Sequence, residues 1–152
     1  MEKYINLFKK YDKLYAENSP LIICARALTK DNESGKVFAQ LKFKNINYKN
    51  IKAVKVMIKT FDTFGAEIEG VPEYQYLDLK AKRNDEFGGK TTIELPDERT
   101  RSFEVKCTEV FFEGGSSQKL DESLEWYILP KQNTLEEKFG KEIAEQYKRD
   151  TF

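Results

Sequence analysis

The chain contains no histidine. That absence removes the Ser-His-Asp and Cys-His nucleophile systems, histidine general bases and the common mixed zinc sites. Cysteine is nearly missing too, with only Cys24 and Cys107 among 152 residues. Two thiols cannot close a structural zinc site. No glycine-rich loop runs into Lys-Ser/Thr and no Gly-x-Gly-x-x-Gly occurs, so neither signature of a phosphate-cradling loop is present. No apolar run approaches the ~20 residues that span a bilayer, and the start, Met1 to Lys10, is amphipathic where a signal peptide would be uniformly apolar. We therefore expect a cytoplasmic protein without a membrane span.

Net charge is absent as well. Twenty-six basic residues balance twenty-six acidic ones, which argues against a general nucleic-acid binder. Charge is instead segregated along the chain. From Lys36 to Lys59 there are seven lysines and no acid; from Asp62 to Asp78 there are five acids and no base.

The middle of the chain supplies the architecture. Val37, Ala39, Leu41 and Phe43 alternate with Phe38, Gln40, Lys42 and Lys44, the period-2 pattern of a strand with one face in a core. Val54, Val56 and Ile58 form a second inward row. Asp31–Gly35 reads as a hairpin loop, and Asp62–Gly65 as a type I turn with glycine in the left-handed position. Further strands are expected at Leu21–Leu28, Tyr74–Lys80, Thr91–Leu95 and Arg101–Phe112, the last with Phe103, Val105, Cys107 and Phe111 on one face. The expected fold is all-β: an immunoglobulin-like antiparallel sandwich of six to eight strands over residues 19–130.

Two helices are expected at its ends. Tyr4, Leu7, Phe8, Tyr11, Leu14 and Tyr15 recur at helical spacing within residues 1–18, and Asn18-Ser-Pro20 stops the run. In residues 131–152, Asn133 and Glu136 form a capping-box pair, and Leu135, Phe139, Ile143 and Tyr147 make one apolar stripe of the kind that contacts a core or a partner.

Candidate chemistry is sparse. Asp31, Glu33, Asp62, Asp78, Asp85 and Glu86 are the carboxylates that a glycosidase or metal site would draw on, yet all but Asp78 fall in expected loops and none has calcium-loop spacing. No catalytic, cofactor or metal residue is assigned, and a non-enzymatic module is expected. Cys24 and Cys107 occupy the first and last strands of the expected sandwich, but a reducing compartment favours two packed free thiols.

The lysine-rich strands offer a surface instead. Paired as a hairpin, they would interleave Lys42, Lys44, Lys55 and Lys59 with Phe38, Met57 and Phe61, a candidate interaction surface for a protein partner, self or foreign. The plainer reading is that these lysines keep a sheet face soluble and are neutralised across strands by Glu67, Glu69 and Glu73. An alternative function is a small-ligand or carbohydrate platform built from Tyr48, Tyr74, Tyr76 or Trp126.

Several runs together, Ala27–Asn32, Gly35–Asn45, Ile51–Val56, Glu73–Leu79 and Arg101–Phe103, resemble an uncharacterised bacterial family. That resemblance implies an immunoglobulin-like sandwich followed by a zinc ribbon with paired cysteines, and the segment Leu135–Asp150 is similar to the lead into that ribbon. The ribbon cysteines are absent here, so the expectation is a fragment of a longer protein or a short member. No activity follows from the resemblance.

Overall fold

The two turns read from the sequence set the frame. Gly35 adopts φ 79° and Gly65 φ 81°, conformations that glycine takes without a Cβ penalty. At the first, the Asp31 and Lys36 backbones bond at 2.9 Å; at the second, Asp62 Oδ1 accepts the amides of Phe64 and Ala66. The computed structural model describes residues 3–129. The expected C-terminal helix of residues 131–152 lies outside them.

Among the described residues eleven strands follow one another: β1 (Tyr4–Lys10), β2 (Leu14–Tyr15), β3 (Leu21–Asp31), β4 (Val37–Asn45), β5 (Ile51–Phe61), β6 (Glu67–Tyr76), β7 (Glu86–Phe87), β8 (Thr92–Glu94), β9 (Ser102–Phe112), β10 (Ser117–Lys119) and β11 (Tyr127–Ile128). They form two antiparallel sheets. The first runs β11-β2-β3-β4-β7, with β1 also on β3 and β8 also on β4; the second runs β10-β9-β5-β6. Leu28, Val37, Ala39 and Leu41 of the first sheet share one buried cluster with Val54, Val56, Ile58, Val105 and Val110 of the second. The all-β class and the inward rows of β4 and β5 are therefore as the alternation indicated.

The N-terminal helix is not. Residues 4–10 form β1, paired antiparallel to β3 from Tyr4↔Asp31 to Lys10↔Arg26. A register shift between Asn6 and Phe8 marks a bulge at Leu7, and both Leu7 and Phe8 pack against the core. Adjacent inward residues in a bulged strand produce the same three- and four-residue spacings as a helix. The Phe8 ring then meets Phe103 of the opposite sheet in a tilted contact with centroids 5.4 Å apart, which ties β1 into the sandwich.

A second correction concerns β9. Its register against β5 shifts between Cys107 and Glu109, leaving Thr108 as the extra residue. Beyond that bulge Val110 and Phe112 turn inward, so Phe111 faces outward and leaves the row of Phe103, Val105 and Cys107. The strand expected to reach Lys80 ends at Tyr76.

Asn45 builds the corner between the sheets. It is fully buried; its Nδ2 donates to Lys49 O at 3.0 Å and Ala81 O at 2.9 Å, and its Oδ1 accepts the Asn47 amide at 2.8 Å. This satisfies backbone groups where the chain leaves one sheet for the other.

Candidate functional site: a groove on the second sheet

The strands of the lysine-only segment do not form a hairpin. β4 lies in the first sheet, between β3 and the short β7 and β8, while β5 lies in the second between β9 and β6. The seven candidate surface residues are thus divided between two outer faces. On the first, Phe38 lines a hollow of about 260 Å³ with Tyr4, Thr29, Gln40 and Thr92. Lys42 sits 3.4 Å from Glu86, and Lys44 is fully buried opposite Ile22. On the second, Lys55 lies 3.9 Å from both Glu73 and Glu109. Half-buried Met57 stands opposite Lys106, exposed Lys59 opposite Glu104 and half-buried Phe61 opposite Ser102.

Cross-strand neutralisation is therefore real for Lys55, and Glu73 is one of the acids expected to provide it. Lys36 and Lys42 find their carboxylates on β8 and β7 instead, Glu94 at 3.4 Å and Glu86 at 3.4 Å.

A concavity opens on the second sheet, beside Lys55. It encloses about 610 Å³ and is lined by Lys52, Ala53, Lys55, Gln75, Leu77, Asp78, Leu79, Lys80, Phe111 and Glu113, with Val54 contributing to the floor. Local sequence explains its shape. The β5 register shifts between Ile51 and Ala53, and that bulge places the small Ala53 opposite Phe111, which the β9 bulge has turned outward. Asp78 adopts φ 56°, a left-handed conformation that aspartate tolerates better than most residues. The kink leaves Leu77 60% exposed at the rim while Leu79 packs on the core and donates its amide to Lys52 O at 2.9 Å.

The electrostatics are mixed. Lys55 Nζ lies 5.5 Å from the Phe111 ring centroid and within ion-pair range of two carboxylates, so its charge is spent locally. Glu113 Oε2 accepts from Asn50 Nδ2 at 3.1 Å, which fixes the opposite wall. Lys52 and Lys80 are exposed at the rim beside Asp78. The result is an apolar floor with a charged margin of both signs. A shallower hollow of about 320 Å³, lined by Met57, Lys59, Ile68, Val71 and Pro72 among others, continues along the same strand pair.

The four aromatics considered for a ligand platform are not gathered. Tyr76 is buried inward against Phe43, and Tyr74 packs edge-on to it at 5.1 Å. Burial pushes the Tyr76 hydroxyl pKa upward, so the phenol stays neutral. Tyr48 is 83% exposed under the Arg83 guanidinium, and Trp126 packs against the core from the C-terminal side.

Both cysteines are buried, in different layers, and are not bonded to each other. Cys107 belongs to the core between the sheets, where burial raises its thiol pKa; Cys24 belongs to a separate cluster with Ile22 and Leu129. Among the described residues no group of three or more His, Cys, Asp or Glu could hold a metal ion, and no helix is long and apolar enough to cross a membrane.

Comparisons with family models, with curated proteins and with solved structures found no match to this chain.

Sequence reasoning missed Ala53, Leu77 and Phe111 because each owes its outward position to a bulge or a left-handed residue. The one available signal was Leu77-Asp-Leu79, where two leucines flank a residue able to turn the chain.

Proposed function

We propose that this chain is a non-enzymatic sandwich module, immunoglobulin-like in kind, that binds another protein chain on the outer face of its second sheet. One observation carries the reading: around the Ala53 floor this fold turns two large apolar side chains, Leu77 and Phe111, outward at a concavity of about 610 Å³. A protruding Leu and a half-buried Phe around an alanine floor, rimmed by charges, match the apolar centre and polar margin of a protein interface. The resemblance to a bacterial family of sandwich domains is in keeping with a module that works by contact.

The test replaces Leu77 with a photo-crosslinking residue and looks for discrete adducts in extract of the producing cell. Ala53→Arg fills the floor with a charged side chain and is expected to abolish them. Adducts unchanged by Ala53→Arg would remove the groove from the interface. If the partner is a second copy, light scattering of the pure protein shows a dimer that Ala53→Arg dissociates.

A second reading, a small apolar ligand in the same groove, is favoured by its volume, which lies in the range of about 300–1,000 Å³ usual for such sites. A ligand that binds only the folded state raises the melting temperature with concentration, and Ala53→Arg should cancel that rise.

A further inference from the structure

The hollow on the outer face of the first sheet differs in kind from the groove on the second. Four strands build it: β1 gives Tyr4, β3 gives Thr29, β4 gives Phe38 and Gln40, and β8 gives Thr92. Cross-strand pairing explains its depth. Thr29 stands opposite Phe38 and Thr92 opposite Gln40, so short side chains lie beside long ones on one face, while Tyr4 stands at the edge opposite Asp31. None of the five lining residues is charged, in a chain where 34% of residues are. The neighbouring charges are engaged elsewhere: Glu94, opposite Phe38, lies 3.4 Å from Lys36, and Lys3 Nζ stands over the Tyr4 ring at 5.3 Å. The half-buried Phe38 ring meets no other ring or cation among the described residues. Around it the polar atoms keep hydrogen-bonding capacity. Thr29 Oγ1 donates to Asn6 Oδ1 at 3.4 Å and retains its acceptor lone pairs; Gln40 donates Nε2 to Gly89 O, which fixes the amide and leaves Oε1 as an acceptor. The Tyr4 and Thr92 hydroxyls can both donate and accept.

We propose that this hollow binds one neutral sugar ring, stacked through a C–H face on Phe38 and held at its hydroxyls by Tyr4, Thr29, Gln40 and Thr92. The lining selects that chemistry. An ion would lose hydration in a hollow that offers no countercharge. A wholly apolar ligand would leave four polar side chains without partners. A pyranose suits both, because its C–H faces pack on an aromatic ring while its hydroxyls donate and accept around the edge. Size agrees as well: about 260 Å³ lies just under the ~300 Å³ at which sites for larger ligands begin, so one ring fits. The site stands apart from the groove at Ala53 and does not depend on a protein partner there.

The test titrates the isotope-labelled full chain with the methyl glycosides of glucose, galactose, mannose, fucose, xylose and N-acetylglucosamine in turn, following backbone amide shifts by NMR. At least one is expected to move the amides of Thr29, Phe38, Gln40 and Thr92, with a Kd of about 1 mM, the scale for so small a ligand. Phe38→Leu keeps an apolar side chain without the ring and should weaken that binding about tenfold. Thr92→Val, at an exposed position, removes only a hydroxyl and should weaken it about threefold; it carries the test should Phe38→Leu not fold. Ala53→Arg, on the opposite outer face, should leave the affinity unchanged. The proposal is overturned if no glycoside moves those amides, or if the shifts gather around Ala53 and Leu77. Parental affinity in the folded variants overturns it too, as does acetate binding at these amides more tightly than every sugar.

Discussion

At the scale of single residues, Asn45 does more than any charged group. Its amide reaches two carbonyls and one backbone N–H across the corner where β4 gives way to β5, and its own backbone bonds to Asp85 O and from the Asn84 amide. Asn45→Ala would take the side-chain donor from Lys49 O and one of two donors from Ala81 O, which keeps the Ile51 amide, and would free the Asn47 amide. Each lost hydrogen bond of this kind is worth about 0.5–1.5 kcal/mol, so the variant should lose about 2 kcal/mol in urea unfolding with little change in m. Asn45→Asp is the sharper comparison: it keeps the acceptor for Asn47 but loses both donors, and should be at least as damaging at neutral pH. If either variant melts like the parent, the corner is held by something other than this side chain. By composition Asn45-Ile-Asn-Tyr-Lys-Asn50 is a turn, but nothing in it says which asparagine is inside.

At the scale of elements, legibility followed the regularity of the ladder. β4 carries no extra residue of its own, since the one bulge in its pairing to β3 adds Cys24 on the β3 side, and its inward row of Val37, Ala39, Leu41 and Phe43 was read correctly. Where a bulge intervened, period-2 reasoning lost one residue: Leu7 made β1 look helical, Thr108 misplaced Phe111, and the Ile51/Ala53 shift hid the groove floor. Two-residue strands such as β2, β7 and β11 were missed because two side chains carry no period. The edge strand β6 shows the same physics most plainly. Its register against β5 shifts twice, between Tyr74 and Val71 and between Val71 and Ile68, with Pro72 and Gly70 inside the shifts. A Cβ on Gly70 would stand 2.3 Å from Ile58 O, a backbone atom that cannot swing away. Gly70→Ala must therefore push β6 off β5, and we expect a loss of about 2 kcal/mol, the scale of overpacking a well-fitted site. It should come with faster amide exchange at Thr60, whose hydroxyl donates to Ile68 O and Glu69 O across that bulge. Unaltered stability in Gly70→Ala would mean that the edge has slack, and β6 would then be open to pairing with another strand in spite of Pro72 and its three glutamates.

At the scale of the whole molecule, the question is what the lysine-only and acid-only segments do once folded. Folding places the lysines of β4 and β5 on two different sheets, then brings carboxylates to Lys42 and Lys55, and to Lys36 just before β4: Glu86 to Lys42, Glu94 to Lys36, and Glu73 with Glu109 to Lys55. A charge pattern that is bipolar along the chain becomes mixed in space, and the total is zero. Without a continuous positive field there is little counterion release to drive polyanion binding. The protein should accordingly leave a polyanion resin at or below physiological salt, and the triple reversal Lys42→Glu, Lys55→Glu and Lys59→Glu should shift that elution only slightly. Stability should respond more than binding. Lys55→Glu sets a third carboxylate beside Glu73 and Glu109, where like-charge neighbours on a partly exposed face cost about 1 kcal/mol, and raising the salt should recover much of that loss by screening. The opposite pattern, strong retention that falls steeply with salt in the parent and vanishes in the triple variant while its melting temperature holds, would mean that Lys42, Lys55 and Lys59 act together on an anionic partner across the edge of the sandwich. The ion-pair distances argue for the first outcome, because each of Lys42 and Lys55 already lies within 4 Å of a carboxylate on a neighbouring strand.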